Sequence, residues 1–413
     1  MNTPSNVLTN QQSDHFVRLV RTPEDQLAFQ QCMATAFSYS MDSASFVPKT
    51  SEELAAEPFE TWVAGQPASS GYVVHDFDVW FNGHLVRTSG IGGVATLPPA
   101  RSQGGIRAIF EEQLPDSYRK GYVFSMLFPF SHRFYRKFGY ELVQRSHYFT
   151  VPLQSLAPFA QALPVTLVTE GAELQAIHDA FGKQCSLSIH RKPNQWHFVS
   201  KDPVKAVNFT YKIGDVAFLT IRAMDGEPDT LHVRDLGYSG KEGLRALLGF
   251  LYTMRASYEK ARLCLPDSVP LADMIPECYE VKDTRSAHGM ARIVNVRRAL
   301  ELMPYPGRDG SFTVKVSDAQ ILDNNHTFRV DYTAGGKEVS VTIEDDAARD
   351  HVRVTIDDTA APDLTVSIQR LTQLVVGSLT LSQALWTDEV ECSDPSKFDG
   401  LFPRRDIYFD DPF

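Results

Sequence analysis

One stretch constrains the fold of this chain more than any other: residues 92–106, which read GGVATLPPARSQGGI. An apolar strand ends in a proline pair, and a glycine-bearing turn then leads into a helix. The first backbone N–H groups of such a helix lack an internal acceptor, and the helix dipole adds positive charge there. Gly104 and Gly105 remove side chains that would keep a phosphate away, and Arg101 can add a charge-assisted contact. The stretch predicts a pyrophosphate-binding turn, although an ordinary strand-to-helix turn has the same local pattern.

The spacing Arg101-x-x-Gly104-x-Ile106 resembles the acetyl-CoA loop of the GNAT acyltransferases, where Arg or Gln is followed by two residues, Gly, one residue and a small residue. Ile106 departs from that last position, and a bulky aliphatic residue there resembles the Eis (enhanced intracellular survival) branch. The resemblance implies acetyl-CoA as co-substrate. The cofactor contacts that it implies are Val94, Ala95, Thr96, Arg101, Ser102, Gln103, Gly104, Gly105, Ile106 and Ser131.

A second segment, FYRKFGY at residues 134–140, closely resembles the segment that closes the acetyl-CoA site in Eis-like proteins. It follows a predicted strand over 122–127 and starts a short helix that Gly139 ends, since glycine suits the left-handed residue just past a helix. The resemblance implies that Tyr135 is a general acid facing the cofactor sulfur. The alternative is that Tyr135 only packs this helix on a sheet, as we expect of its aromatic neighbours. His132 is a weaker candidate for a proton relay.

Composition bounds the class of protein. A chain of 413 residues exceeds what one core usually supports, so two or three domains are expected. It is 43% hydrophobic and 22% charged, as ordinary globular proteins are, and it shows no signal peptide or membrane-spanning run. We therefore predict a cytoplasmic protein without a membrane partner. The formal charge of −11, with no basic run between aromatics, argues against nucleic acid as a partner. An acidic surface favours the approach of cations. The alternative is that the acidity only keeps the protein soluble.

The first third of the chain follows the element order of an acyltransferase. Residues 16–37 predict a strand followed by a helix, whose start Thr22 can cap. Asn82 and Gly83, between two apolar runs, predict a tight hairpin of the primed type. We therefore predict a catalytic, acetyl-CoA-binding GNAT domain over residues 14–150.

The middle third, residues 160–290, repeats this order in a weaker form. Its turn over 238–244 has no arginine, and Lys241 followed by Glu242 nearly cancels the local charge. It also lacks a counterpart of Tyr135. We therefore predict a degenerate GNAT-like domain without cofactor, as the Eis resemblance also implies.

The last third, residues 291–413, resembles the sterol-carrier-like domain of Eis proteins. It contains predicted strands such as 311–316 and 338–343, and an amphipathic helix that Ser367 can cap. The predicted fold class is α/β (α+β), with tandem GNAT-like acyltransferase domains followed by a sterol-carrier-protein-like α+β domain. Resemblance to a lipid carrier raises a second hypothesis, because function does not follow from fold. In it, the chain is a non-enzymatic carrier that holds an apolar ligand in this domain.

The end of the sequence, DDPF, is a further candidate for chemistry. In Eis-like enzymes the carboxylate of the last residue returns to the first domain as the proposed base, which implies a catalytic role for Phe413 beside Tyr135. A frayed tail is the alternative. The segments 401–403 and 407–409 are too apolar for a free tail, and they favour docking.

Other residue patterns point to structure rather than chemistry. The five cysteines form no close pair, which argues against a disulfide framework or a zinc knuckle and favours small core residues. The basic residues His190, Arg191 and Lys192, with Trp196, predict a solvated loop or an interface. No metal-ligand spacing occurs, so no metal is expected.

These observations favour an acetyl-CoA-dependent N-acetyltransferase of the Eis type. The acceptor is expected to be a small cationic amine, aminoglycoside-like or polyamine-like, that attacks directly in a ternary complex. Proximity and stabilisation of the oxyanion supply most of the rate in such a complex. The resemblance also implies a homo-oligomer, which is a hexamer in the Eis family.

Overall fold

The computed structural model describes residues 16–38, 47–160, 162–202, 204–223, 227–334 and 351–413. It divides the chain into two compact units. Unit 1 comprises the described residues up to Asp76, residues 90–120 and Phe413, and unit 2 comprises residues 77–89 and the described residues from 121 to 412.

Unit 1 is built on the first strands and on the helix that follows the predicted turn. Its elements are β1 (Val17–Leu19), α1 (Pro23–Phe37), α2 (Ser51–Ala55), β2 (Phe59–Ala64), β3 (Ser70–Phe81), β4 (His84–Thr96) and α3 (Gly105–Arg119). The hairpin formed by the end of β3 and the start of β4 belongs to unit 2.

The sheet of unit 1 is antiparallel through β1, β2 and β3, with β4 as the next strand. The predicted cap of α1 is confirmed, because Thr22 Oγ1 accepts a hydrogen bond from the Asp25 N–H at 3.2 Å. Helix α3 packs on β2 with fully buried side chains such as Ile109, Phe110 and Leu114. Burial of these side chains fixes the helix against the sheet, and with it the turn before the helix.

Unit 2 contains the rest of the chain. Its first elements are β5 (Phe124–Leu127), α4 (His132–Arg136), β6 (Glu141–Leu142), β7 (Arg145–Pro152), β8 (Val165–Val168), α5 (Gln175–Gly182), β9 (Ser188–His190), β10 (Phe209–Ile213), β11 (Ala217–Ala223), β12 (Thr230–Tyr238), α6 (Gly240–Thr253), β13 (Lys260–Leu265), α7 (Leu271–Met274), β14 (Lys282–Ala287) and β15 (Met290–Ile293). The remaining elements are α8 (Val296–Glu301), β16 (Gly310–Ser317), β17 (Thr327–Tyr332), β18 (Val352–Ile356), β19 (Leu364–Ser367), α9 (Ile368–Val376), α10 (Leu381–Ala384) and β20 (Val390–Cys392).

Two local predictions in unit 2 are confirmed. Asn82 and Gly83 both have positive φ, 51° and 79°, as a primed hairpin turn requires. Ser367 caps α9, since its Oγ accepts a hydrogen bond from the Arg370 N–H. The predicted strand over 338–343 lies outside the described residues.

Three groups of strands organise unit 2. In the first, β15 pairs antiparallel with both β5 and β6. The second is a seven-stranded sheet in the order β14-β7-β13-β12-β11-β10-β8, and the third is a five-stranded sheet in the order β18-β17-β16-β19-β20. Strands β7 and β15 therefore cross the ends of the predicted domains at residues 150 and 290. The bounds of the three predicted domains stay predictions.

The seven-stranded sheet opens between its two central strands. Strands β12 and β13 pair in parallel only where Thr230–His232 of β12 lies beside Lys260–Arg262 of β13. Beyond that point β12 stays paired with β11 as far as Tyr238, and β13 stays paired with β7 as far as Leu265. The two strands separate toward their carboxyl ends, where α6 begins.

All five cysteines are free. Cys32, Cys185 and Cys264 are buried, as predicted for small core residues, whereas Cys278 is exposed and Cys392 is partly exposed, so the prediction is wrong for Cys278. Within the ranges given above, no helix is both long and apolar enough to cross a membrane.

Candidate active site

The predicted pyrophosphate-binding turn joins β4 to α3 within unit 1. Gly104 has a φ of 95°, and α3 has no side-chain cap. The Ala108 N–H donates to the Gly104 carbonyl at 2.9 Å, so the amides of residues 105–107 have no acceptor within the helix. These amides and the helix dipole make the turn suitable for an anion.

Two residues of the turn are fixed by packing. A Cβ on Gly105 would lie 2.6 Å from Ser70 Oγ, so only glycine lets the start of α3 approach β3 this closely. Ile106 is 8% exposed, and its aliphatic side chain anchors the first turn of the helix in the core. The departure from a small residue at position 106 thus has a structural reason.

The other predicted contacts of the turn face outward. Arg101, Ser102 and Gln103 are exposed. The Gln103 side chain braces the turn, because its Nε2 donates to the Pro99 carbonyl at 2.7 Å. Ser102 has a φ of 62°, the left-handed conformation that redirects the chain before Gly104.

Strand β4 is distorted just before its predicted cofactor contacts. Gly93 has a φ of 61°, and a Cβ there would lie 2.9 Å from Met33 Cε. A left-handed residue inside a strand breaks the pleat and re-aims the residues that follow. Those residues are the predicted contacts, of which Ala95 is buried and Val94 and Thr96 are half-buried.

The C-terminal carboxylate lies against the same strand. A Cβ on Gly92 would lie 2.8 Å from the carboxyl carbon of Phe413, 3.0 Å from its oxygen and 3.4 Å from His75 Nε2. The rings of His75 and Phe413 meet edge to face, with 6.2 Å between centroids. The last residue therefore belongs to unit 1, where the resemblance expected it, while its catalytic role stays a prediction.

The residues before Phe413 are anchored in unit 2. Leu401, Phe402, Tyr408 and Phe409 are buried, which confirms that the tail is docked. The Phe409 N–H donates to Gln144 Oε1 at 3.2 Å.

A buried arginine holds the tail at Asp411. Arg191 Nε donates to Asp411 at 2.5 Å, and the other two guanidinium nitrogens donate to Asp235 at 2.6 and 2.9 Å. Arg191 is 5% exposed, and its guanidinium lies 4.8 Å from the Trp196 ring centroid. Of the two predicted alternatives, a solvated loop or an interface, the solvated loop is wrong for Arg191, because its two carboxylate partners are distant in sequence and were not recognisable from local composition.

The neighbouring carboxylate, Asp410, has an unusual environment. Burial and the nearby charges of Asp411 and Asp235 raise the pKa of Asp410 to about 7. Its Oδ1 lies 3.4 Å from Nδ1 of His288, whose own pKa is lowered by burial. A carboxyl group that titrates near neutrality thus stands three residues before the chain end.

Tyr135 lies in an aromatic cluster on α4 in unit 2. It is 2% exposed, and its ring meets Phe130 and Phe134 edge to face at 5.3 and 5.1 Å. Burial raises the pKa of Tyr135 well above the ordinary tyrosine value. The phenol therefore stays protonated at neutral pH and can donate a hydrogen bond.

The surroundings of Tyr135 are ordered by local sequence. Ser131 caps α4 by accepting from the Phe134 N–H at 3.3 Å. Gly139 has the predicted positive φ, 82°, and a Cβ there would lie 2.7 Å from Arg292 Nη1. The weaker candidate, His132, lies at the helix start, and its Nε2 is buried without a hydrogen-bond partner in the described part of the chain.

Sequence reasoning missed Gly92, Gly93, His75 and the Arg191–Asp411 pair. The two glycines inside an apolar strand were a usable signal for a bulge or a close approach. His75 and Arg191 gave no local signal. Within the described ranges, no group of three or more His, Cys, Asp or Glu side chains could hold a metal ion.

Comparison with protein families matches two parts of the chain. The acetyltransferase (GNAT) domain family matches residues 18–143, and the sterol carrier protein domain family matches residues 296–410. Comparison with curated protein sequences gives no significant match.

Solved structures share the fold over almost the whole chain. A GCN5-related N-acetyltransferase from Anabaena variabilis has a TM-score of 0.79 and 20% identity, covering 96% of this chain and 100% of that one. A probable N-acyltransferase from Enterococcus faecalis has a TM-score of 0.78 with the same identity and coverage. Eis1 from Mycobacterium abscessus has a TM-score of 0.75 and 19% identity, covering 97% and 100%. The predicted fold class is confirmed.

Proposed function

Since the chain is an acyltransferase with a GNAT domain and an Eis-like fold, we propose that it transfers an acetyl group from acetyl-CoA to an amine. One observation carries the proposal. The Phe413 carboxylate lies beside Gly92, and the proposed acetyl-CoA contacts Val94 to Thr96 follow two to four residues later on β4. At about 3.3 Å per residue, these positions lie roughly 7–13 Å apart along the strand.

The turn before α3 would bind the pyrophosphate of acetyl-CoA. The amides of residues 105–107 point out of the helix start, and Arg101 is exposed beside them. A pyrophosphate there would gain charge-assisted hydrogen bonds and the favourable end of the helix dipole. When bound, acetyl-CoA supplies the thioester carbonyl that the amine attacks.

The Phe413 carboxylate would hold the acceptor. A negative charge at this position attracts a cationic amine, which fits a small aminoglycoside-like or polyamine-like acceptor. An ordinary α-carboxyl has a pKa of about 3.5 and an alkylammonium one of about 10, so direct proton abstraction is uphill by roughly 9 kcal/mol. We therefore assign the carboxylate to orienting the ammonium, with the proton passing on through water.

On the Eis resemblance, Tyr135 would act on the leaving thiolate. Its raised pKa keeps the phenol protonated. A phenol is a weaker acid than a thiol, whose ordinary pKa is about 8.5, so complete proton transfer to the thiolate is uphill. Tyr135 therefore stabilises the thiolate by donating a hydrogen bond.

The carrier hypothesis receives less support from the C-terminal domain. The apolar residues of α9, such as Leu371, Leu374 and Val375, are buried in protein. Thr372 Oγ1 on this helix accepts from the Ile293 N–H at 2.9 Å, and Gln373 donates to the Leu142 carbonyl at 2.7 Å. This helix is thus packed against β15 and β6.

Release of free thiol from acetyl-CoA tests the proposal directly. The full chain is incubated with acetyl-CoA and a panel of aminoglycosides, linear polyamines and a neutral alcohol of similar size. We expect thiol release that depends on a cationic amine. An absence of release with every amine, together with tight binding of an apolar ligand to residues 296–410, would instead support the carrier.

A further inference from the structure

The opening between β12 and β13 contains a large cavity. Its volume is about 550 Å³, and it lies where Tyr238 ends β12, Pro266 follows β13 and Gly240 begins α6. Volumes of about 300–1,000 Å³ are typical of small-molecule sites. None of the proposed acetyl-CoA contacts lines this cavity, so it is a different site.

The wall of the cavity is mainly apolar. Phe181, Leu244, Val269 and Met274 line it, together with the buried Cys185. Burial raises the pKa of the Cys185 thiol, so it adds no charge at neutral pH. An occupant therefore needs an apolar body.

Two cations stand at the α6 side of this cavity. Lys241 and Arg245 both line it and are four residues apart, so their side chains lie on one face of the helix. Neither forms an ion pair with another described residue, and the Arg245 guanidinium lies 5.0 Å from the Phe159 ring centroid. Like charges at this spacing repel, and an anion between them would relieve that repulsion.

The remaining polar features agree with an anionic group. Helix α6 has no side-chain cap, so its dipole and first amides add positive potential at the same end. The one carboxylate of the wall, Asp406, accepts hydrogen bonds from the Ser268 N–H and hydroxyl. Among the lining residues, two cations therefore outweigh one carboxylate that already has donors, and Glu242, which follows Lys241, does not line the cavity.

We propose that this cavity binds a small amphipathic anion, with an apolar body among Phe181, Leu244 and Met274 and a carboxylate between Lys241 and Arg245. The proposal does not depend on the acetyltransferase activity.

Calorimetric titration of the full chain with three eight-carbon probes tests the proposal. Octanoate carries the carboxylate, octan-1-ol is its neutral counterpart and octylammonium carries the opposite charge. We expect one octanoate site per chain, with octan-1-ol bound at least about tenfold more weakly and octylammonium more weakly still. Saturating CoA should not displace octanoate.

Two variants locate the probe. The double substitution Lys241→Gln and Arg245→Gln should reduce octanoate affinity to that of octan-1-ol and leave octan-1-ol binding unchanged. Met274→Trp narrows the apolar part of the cavity and should weaken binding of both. The matched control, Lys205→Gln with Arg255→Gln, removes an exposed lysine and arginine away from the cavity and should change nothing.

Three results would overturn the proposal: no octanoate binding, equal octanoate affinity in the double glutamine variant, or displacement by CoA. If Met274→Trp lowers the melting temperature sharply, the double glutamine variant still decides, since both substitutions lie at the start of a helix and remove no buried apolar group.

Discussion

The Phe413 carboxyl carbon lies where a Cβ on Gly92 would approach to 2.8 Å. Gly92 lies in β4 and its φ is not positive, so alanine is acceptable to the backbone there. The glycine is needed because the chain end occupies the space of a side chain. We infer that Gly92 sets the position of the carboxylate.

Gly92→Ala should therefore displace the carboxylate while leaving the strand folded. A shift of about 1 Å in a catalytic group can cost on the order of a hundredfold in rate. We expect a loss of this size in kcat, measured by thiol release. Acetyl-CoA affinity and melting temperature, both measured by calorimetry, should be nearly unchanged. Gly307→Ala, where a Cβ meets no atom within 4 Å, is the matched control. Equal kcat in the two variants would show that the carboxylate is a bystander.

Adding one glycine after Phe413 tests the same group without changing any side chain. The extension moves the charge by about 3.5 Å, which is far more than a catalytic position tolerates. Turnover should collapse, and circular dichroism and acetyl-CoA binding should stay as in the parent. Full activity in the extended chain would mean that the Phe413 carboxylate does not orient the acceptor amine.

Local sequence predicted the parts of the site that local chemistry determines. The cap at Thr22, the turn at Asn82–Gly83 and the left-handed Gly139 all follow from the residues at those positions. The glycine turn before α3 was predicted for the same reason. Its conformation depends on residues within one or two turns of chain.

The parts that were missed depend on distant partners. Arg191 is separated by 44 residues from Asp235 and by 220 from Asp411, so its composition alone suggested a solvated loop. Strand β15 lies beside β5 although more than 160 residues separate them. Long-range pairing of this kind leaves no periodic signal in the sequence.

Tyr135→Phe should separate chemistry from binding. The phenol is needed only when the thiolate forms, so kcat should fall by about a hundredfold while the acetyl-CoA dissociation constant is unchanged. Tyr140→Phe is the control, because Tyr140 Oη lies 2.6 Å from Ser125 Oγ and serves structure. That variant should lose about 1 kcal/mol of stability and retain its turnover. An unchanged kcat in Tyr135→Phe would show that Tyr135 only packs α4 and has no role in the reaction.

Removing the arginine that holds the tail should be costly. Arg191→Met leaves Asp235 and Asp411 buried without their partner, and breaking such a pair typically costs about 3–5 kcal/mol. Chemical denaturation should show this loss. Lys397→Gln, which breaks the more exposed pair with Asp363, should cost much less, because water screens that pair. Similar losses in both variants would mean that Arg191 contributes no more than a surface charge.

Asp410 predicts a specific dependence of stability on pH. Its folded pKa of about 7 lies above the ordinary aspartate value of 3.8, chiefly because the group is buried and then because Asp411 and Asp235 are close. Between these two pH values the folded chain binds this proton more tightly than the unfolded chain, so the group destabilises the fold progressively as pH rises from about 4 to 7.

Asp410→Asn removes the titration. Its unfolding free energy relative to the parent should therefore increase with pH, by on the order of 2 kcal/mol between pH 4 and pH 7, and level off above. Urea denaturation of both proteins at several pH values measures this difference. The charges of Arg191, Arg234 and His288 face the same region, so the loss of their interactions with Asp410 is part of the measured difference. A difference that is flat with pH would mean that Asp410 titrates as an ordinary carboxyl group.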